Sequence, residues 1–258
     1  MPELTSEHLP VLLQQNKEVY REVDRAVKAY LKDHHPSGWP IVDGAMRWIE
    51  ERHHFIQAPI QDDSLGGFIS FGSPRVICYL NSWQPRVYQN FVLLHELFHI
   101  LSATAYAEHE LHVVEADLDR SLDERKADYF ASLLLMDAAD LVAFYESLGP
   151  RDLLDAVVLT MIRFAAPYKA VLIRLFELEL IEGEALTAMF DAKMNFEAEL
   201  ARLGKDPSLV QRSMVVYFQD VVRIMEAGQE RLPEVANANN WSTLQQVTQY
   251  FEQRKRVQ

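Results

Sequence analysis

Hydrophobic residues recur every three or four positions in the first part of the chain, which is the spacing of a helix that buries one face. Residues 7–32 show this spacing, with Leu12, Val19 and Val23 on one side. A segment rich in proline, glycine and histidine interrupts the pattern. A second helix is predicted over residues 41–52, so the amino-terminal part is expected to be helical.

The pattern changes between residues 55 and 81. Short runs of β-branched and aromatic residues alternate there with glycine, proline and aspartate, as expected for strands joined by tight turns. The best strand candidate is the run VICYL at residues 76–80. We expect a small antiparallel sheet in this region. Its strand 76–80 is either a core strand or an edge on which an extended peptide can pair.

The rest of the chain, from about residue 87, is predicted to be helical. The segments RLGKDPS and RLPEVANANN have the composition of linkers. The fold class is therefore α+β and predominantly helical, with a small sheet. The predicted helices cover residues 87–103, 121–136, 137–148, 152–164, 168–178, 184–203, 208–227 and 241–254.

Composition limits the classes of protein to consider. A chain of 258 residues, 49% of them hydrophobic, is long enough for a large domain with a real core. The net charge of −13 argues against a surface that mainly binds nucleic acid or anionic lipid. With Cys78 as its single cysteine, the chain has no internal disulfide framework. No signal peptide or apolar run that spans a bilayer is recognisable, so we expect a cytoplasmic protein without a membrane partner.

The most apolar predicted helix contains three ionisable residues. In the sequence NFVLLHELFHIL they are His95, Glu96 and His99. Positions i and i+4 lie on one helix face, so both imidazoles can reach the same cation, and Glu96 can contact a water held there. This arrangement is typical of a zinc hydrolase with glutamate as general base. Two satisfied core histidines and a surface glutamate are the alternative, but the apolar neighbours leave no obviously solvated face.

A third metal ligand is available downstream, in the sequence SLDERKADYFASLLLM. Glu124 and Asp128 are spaced i, i+4 there, and a zinc site of the His₂Glu type takes one carboxylate from a separate segment. Asp128 is expected to accept a hydrogen bond from His95 and so to fix the tautomer of that ligand. In the alternative interpretation, Glu124 only closes a capping box with Ser121, which leaves the histidines without a third partner.

Together these segments resemble the ImmA/IrrE metallopeptidases, whose fold is a compact zincin. A strand that ends in asparagine, VICYLNS, precedes the motif helix RVYQNFVLLHELFHIL, and ERKADYFASLLLM matches the family's Glu-x-x-Ala-Asn/Asp-x-Phe-Ala-x-x-Leu-Leu-Met block. The resemblance spans about residues 38–182 and is strongest over 76–136. It implies Glu96 as the base and zinc as the cofactor, with other divalent metals as alternatives. The zinc ligands that it implies are His95, His99 and Glu124.

The resemblance also implies a function. Members of the family commonly cleave a transcriptional repressor of the Cro/cI type, often encoded nearby, and thereby release stress-response or mobile-element genes. We therefore expect an intracellular zinc endopeptidase, with a non-catalytic module that sequesters its partner as the alternative. A DNA-binding regulator that uses residues 154–182 is a weaker alternative. Direct DNA binding is not expected, because Arg163, Lys169 and Arg174 are few charges for such a surface.

Three positions depart from the family's pattern. Phe98 replaces the usual glycine inside the motif, Asp137 the usual proline after Leu-Leu-Met, and Pro167 a serine that typically starts a helix. None of these replacements removes an implied ligand. Peptide cleavage also needs a donor for the developing oxyanion. Tyr106 and His112 are candidates if a loop brings them over the metal, and an ordinary loop role is the alternative for each.

Four regions are predicted along the chain. An amino-terminal helix (1–37) precedes the zincin-like metallopeptidase core (38–150). A helix-turn-helix-like segment (151–183) and a helical carboxy-terminal region of unknown role (184–258) follow the core.

Overall fold

The structure is a computed structural model of the chain. The chain divides into two compact units, Met1–Tyr217 and Phe218–Gln258, and the candidate site lies in the first. The residues that the structure describes are 4–70, 75–102, 111–115 and 122–218.

The described part of the chain is mostly helical, and this confirms the predicted fold class. Short 3₁₀ turns cover Ser6–His8 and Pro207–Leu209. The strands are β1 (His54–Ala58), β2 (Leu65–Ser70), β3 (Ile77–Asn81), β4 (Leu111–Glu115) and β5 (Tyr217–Phe218). The helices are α1 (Leu9–Asp33), α2 (Ile41–Arg52), α3 (Arg86–Ser102), α4 (Leu122–Leu135), α5 (Ala138–Ser147), α6 (Leu153–Phe164), α7 (Tyr168–Glu177), α8 (Gly183–Phe190) and α9 (Phe196–Arg202).

The sheet is mixed, with the strand order β4-β2-β3-β1-β5. β2 pairs antiparallel with both β3 and β4, but β1 runs parallel to β3, so the expected purely antiparallel arrangement is wrong. The chain reverses direction twice between β1 and β3, and β3 then inserts between β1 and β2. Because β3 has a strand on each side, it is a core strand and offers no edge to a peptide.

Helix α3 packs on β2 and β3, α4 packs against α3, and α1 packs against α4. Ala127 and Ala131 of α4 are fully buried, and their small side chains allow α3 and α4 to lie close together. On the sheet side, a Cβ on Gly66 or Gly67 would lie 2.8 or 2.9 Å from the side chain of Val92. Glycine is therefore needed at these positions of β2 for α3 to approach the strand.

Helices α6 and α7 form a tight, buried pair. Ala165 ends α6 in the left-handed conformation, with φ of 47°. Arg174 of α7 is buried and pairs with Glu177 at 2.7 Å, so this basic residue is not available to a phosphate. None of the described helices is by itself long and apolar enough to cross a membrane. Only α6 and α7 together pass such a test, on length and composition alone, and the break between them bends the pair by 106°.

The region after α7 differs from the sequence prediction. The single helix expected over residues 184–203 is in fact two short helices, α8 and α9. The Asn195 side chain accepts a hydrogen bond from the backbone N–H of Ala198 and starts α9 anew.

The helix expected over residues 208–227 is also wrong as far as the chain is described. Residues 211–218 are extended, because the junction between β3 and α3 satisfies their backbone groups. The N–H of Ser213 donates to the carbonyl oxygen of Ser82 at 3.2 Å, and the Ser82 hydroxyl donates to the carbonyl oxygen of Val215 at 2.6 Å. The helix predicted over residues 241–254 lies outside the described residues.

Candidate metal centre

Two histidines of α3 meet on the buried face of this helix. His95 and His99 are both buried, and their Nε2 atoms lie 3.2 Å apart. The i, i+4 spacing places the two rings one above the other, with a centroid distance of 4.9 Å. Leu97 between them and Leu94 directly before His95 are fully buried, so both histidines lie in an apolar part of the interior.

The third group comes from α4. Oε2 of Glu124 lies 3.2 Å from Nε2 of His95, and Oε1 lies 3.1 Å from Nε2 of His99. Ligands of a tetrahedral zinc site lie about 3.3 Å from one another, given zinc–nitrogen and zinc–oxygen distances of roughly 2.0–2.1 Å. The three side chains therefore have the mutual spacing that such an ion requires, and their ligand atoms form a group that could hold a metal.

The chemistry of the donor set also fits a metal. Nδ1 of His95 lies 2.8 Å from Oδ1 of Asp128, and this hydrogen bond places the imidazole proton on Nδ1. Nε2 of a neutral His95 then carries a lone pair that faces His99 and Glu124. Two imidazole nitrogens and one carboxylate are the ligands of a catalytic zinc site, and a carboxylate behind one histidine is its usual support.

In the metal-free site, the pKa values of His95 and Glu124 are shifted in opposite directions, so that a positive charge is held beside the carboxylate. Burial lowers the pKa of His95, but hydrogen bonds with Asp128 and Glu124 outweigh burial and raise the pKa to about 9. Burial raises the pKa of Glu124, yet hydrogen bonds with His95 and His99 hold this pKa well below its usual range. A protonated imidazole thus neutralises the Glu124 carboxylate, and a metal ion would displace this proton on binding.

Glu96 lies beside the centre without being part of it. The side chain is fully buried, and neither carboxylate oxygen has a hydrogen-bond partner among the described residues. The pKa of Glu96 is raised to about 8, mainly because the group is buried. The charge of His95 acts to lower this pKa, and the charge of Glu124 acts to raise it. A carboxyl group that titrates near neutral pH can both accept and return a proton under ordinary conditions. Such an orphaned buried acid is expected where a water or a substrate group completes the site.

The two oxyanion candidates stay predictions. Tyr106 lies outside the described residues. His112 lies in β4, where its backbone is opposite Ile69 of β2, and not in the loop that the sequence suggested. The strand was missed because its pairing partner is distant in sequence. Ser121, the proposed capping-box partner of Glu124, also lies outside the described residues.

The residues that depart from the family's pattern have structural roles. Phe98 packs its ring against Phe130 and His99, with centroid distances of 5.4 and 5.9 Å, and so forms an aromatic wall beside the centre. Asp137 caps α5 by accepting hydrogen bonds from the first backbone N–H groups of that helix. Pro167 directly precedes α7.

Two neighbours of the centre were not recognised in the sequence. Nη2 of Arg125 lies 3.4 Å from Oδ2 of Asp128, a pair whose i, i+3 spacing on a helix was the available signal. A Cβ on Gly67 would lie 3.4 Å from Oε1 of Glu96, and a glycine pair inside a strand is a general sign of such a close approach.

A helix with His-Glu-x-x-His, a glutamate from the next helix and a small sheet beside them define a metallopeptidase-like domain of the zincin type. A peptidase family model described as the IrrE N-terminal-like domain matches residues 53–176. This match confirms the resemblance to the ImmA/IrrE family over residues 53–176. This range contains all the residues of the candidate centre. No curated protein matches the chain.

Proposed function

We propose that this protein is a zinc-dependent endopeptidase that cleaves a partner transcriptional repressor. The observation that carries the proposal is the convergence of His95, His99 and both oxygens of Glu124 at 3.1–3.2 Å, next to the buried carboxylate of Glu96. The match to a peptidase family supports hydrolysis of a peptide bond. The repressor as substrate is supported by the family resemblance alone.

The side chains divide the chemistry among them. His95, His99 and Glu124 would hold the ion, and Asp128 keeps the His95 proton on Nδ1. A zinc ion supplies a Lewis acid that activates water and polarises the scissile carbonyl. Glu96 accepts the proton of the attacking water on its carboxylate and later delivers it to the leaving nitrogen. In the metal-free site burial raises its pKa to about 8, and a bound cation nearby would lower this pKa and favour the carboxylate form that accepts the proton.

The edge of the sheet supports a peptide substrate. Within the described sheet, β4 is an outer strand, and its Val114 pairs with Gly67 of β2. Gly67 in turn lies next to Glu96. An extended peptide held on β4 by backbone hydrogen bonds would therefore be separated from β2, and so from the strand next to the general base, by the width of β4.

The test uses the purified full chain with zinc and the repressor encoded nearest to its gene. Wild-type protein should produce two repressor fragments whose intact masses sum to the substrate plus one water. Glu96→Gln should bind zinc as wild type does and lose cleavage by at least about 100-fold. Glu146→Gln changes an exposed glutamate of α5 and should cleave normally. A zinc-loaded wild type that binds the repressor and leaves its mass unchanged would instead support a sequestering module.

A further inference from the structure

Arg125 is a mostly buried cation with few partners among the described residues. Its side chain is 13% exposed and that of Asp128 is 11% exposed, and the closest approach between the two is 3.4 Å, from Nη2 to Oδ2. The Nε atom of Arg125 is buried and has no hydrogen-bond partner among the described residues. A guanidinium has several N–H donors, so this contact satisfies only a small part of the group.

Fold stability does not explain this arrangement well. Removing two charges from water costs several kcal/mol per ion, and this cost is offset only by close, well-satisfied contacts. A single contact at 3.4 Å is not of that kind. A methionine of similar length in place of Arg125 would bury comparable apolar surface without the desolvation cost. The guanidinium therefore calls for a role other than holding the fold together.

The contact of Arg125 continues toward the centre. Oδ2 of Asp128 faces Arg125, while Oδ1 accepts the hydrogen bond from Nδ1 of His95 at 2.8 Å. Among the described residues, each oxygen of the carboxylate therefore has a contact that helps to orient it. On the opposite side of the same imidazole, Nε2 faces Glu124 at 3.2 Å. Arg125 also directly follows Glu124 in α4, so any shift of this helix moves the ligand and its support together.

We propose that Arg125 is a positioning residue of the metal centre. It orients the Asp128 carboxylate, and Asp128 orients the His95 imidazole so that Nε2 faces the ion. This inference rests on the metal centre of the proposed function and not on the endopeptidase activity. Arg125 acts only through its neighbours and has no contact with the ligand atoms themselves.

The chain offers a matched control for the test. Lys126 is the next residue of α4, its side chain is 16% exposed, and it pairs with Glu22 and Asp123 at 3.0 and 3.2 Å. No contact joins it to Asp128 among those of the described residues. Arg125→Met and Lys126→Met therefore each remove one mostly buried cation from the same turn, but only the first removes the support of Asp128.

The measurements are zinc affinity by competition with a chromophoric chelator, the visible absorption spectrum of the Co²⁺-loaded protein, and the melting temperature of the metal-free protein. Arg125→Met should weaken zinc binding about 10-fold, the lower end of what loss of a supporting group costs. It should also change the Co²⁺ spectrum. Lys126→Met should do neither, and Arg125→Lys should recover most of the affinity because it keeps the charge.

A double-mutant cycle isolates the path through Asp128. In an Asp128→Asn background, Arg125→Met should cause no further loss of zinc affinity. Equal or tighter zinc binding by folded Arg125→Met would overturn the inference, because repulsion between the guanidinium and the ion would then dominate. Additive losses in the cycle would overturn it too.

A wild type that binds no zinc would instead contradict the metal centre of the proposed function. If Arg125→Met fails to fold, Arg125→Gln takes its place in the same comparison. Wild-type zinc affinity in Asp128→Asn would overturn the inference.

Discussion

At the scale of single residues, the centre depends on a carboxylate that uses both of its oxygens. Glu124 faces His95 with one oxygen and His99 with the other. Glutamine has nearly the same shape but no charge, and an uncharged amide is a much weaker zinc ligand than a carboxylate.

We expect Glu124→Gln to lower zinc affinity by at least about 100-fold, more than the loss of a supporting group costs. Chelator competition on the metal-free protein measures this change. Glu146→Gln is the control, because that glutamate is exposed on α5. Wild-type affinity in Glu124→Gln would show that this carboxylate does not bind the ion.

The residues of the centre could be predicted because helical spacing is a local property. The i, i+4 intervals predicted that His95 shares a face with His99, and Glu124 with Asp128, and the structure brings both pairs together. The contact of Gly67 with Glu96 could not be predicted in this way. It depends on how closely β2 approaches α3, which is decided by packing between elements that are distant in sequence.

At the scale of elements, the approach of α3 to the sheet depends on Gly67 of β2. A Cβ at this position would lie 2.7 Å from the carbonyl oxygen of Tyr79 and 2.9 Å from Cγ1 of Val92. The first of these atoms belongs to the backbone of β3 and cannot move away without disturbing the strand.

Gly67→Ala is therefore expected to lower the free energy of unfolding by about 1–3 kcal/mol, as overpacking of a core does. Denaturant titration of the metal-free protein measures the loss. Gly183→Ala is the control, since its Cβ would meet only the Phe176 ring at an ordinary 3.6 Å. Equal stability of the two variants would mean that β2 and α3 can separate at little cost.

His53, at the junction of α2 and β1, predicts a pH dependence. Burial, followed by the charges of Arg75 and Arg52, lowers its pKa from 6.5 to about 4. Nδ1 of the neutral ring accepts a hydrogen bond from the N–H of Val76 at 3.4 Å. Between these two pKa values the unfolded chain binds more protons than the folded one. The titration of His53 therefore leaves the free energy of unfolding unchanged above about pH 6.5 and lowers it as the pH falls toward 4.

The comparison that isolates this effect is wild type against His53→Asn, which cannot titrate in this range. The free energy of unfolding of wild type relative to the variant should fall by about 1–2 kcal/mol between pH 7 and pH 4, a value discounted for the partial exposure of the ring. Other titrating groups, including those of the metal centre, are common to both proteins and cancel. If the difference in free energy of unfolding between the two proteins is the same at pH 7 and pH 4, His53 does not cause the pH dependence and other groups do.

The element boundaries show where local pattern suffices. α2 covers the predicted residues 41–52, and α3 begins and ends one residue from its prediction, because an amphipathic helix needs only its own sequence. The parallel pairing of β1 with β3 and the extended chain at 211–218 were missed. Their hydrogen bonds are made with partners far away along the chain, and local periodicity carries no information on those partners.

At the scale of the whole molecule, a metal ion would link two separate helices of the folded unit. His95 and His99 belong to α3 and Glu124 belongs to α4. α4 also packs against α1. An ion that binds only the folded arrangement stabilises it in proportion to the logarithm of its concentration over its dissociation constant. The centre should therefore be visible in the stability of the whole folded unit.

Zinc at about 1,000 times its dissociation constant should add about 4 kcal/mol to the free energy of unfolding. For a folded unit of this size the melting temperature should rise by about 10 °C, and a chelator should reverse the rise. His99→Ala should abolish most of the shift because one ligand is lost, whereas Lys126→Met should retain it because Lys126 pairs with Glu22 and Asp123 away from the centre. Differential scanning calorimetry of the three proteins, with and without zinc, makes the comparison. An equal zinc-dependent shift in His99→Ala would place the stabilising ion elsewhere on the chain and remove the basis for linking α3 and α4 through a metal.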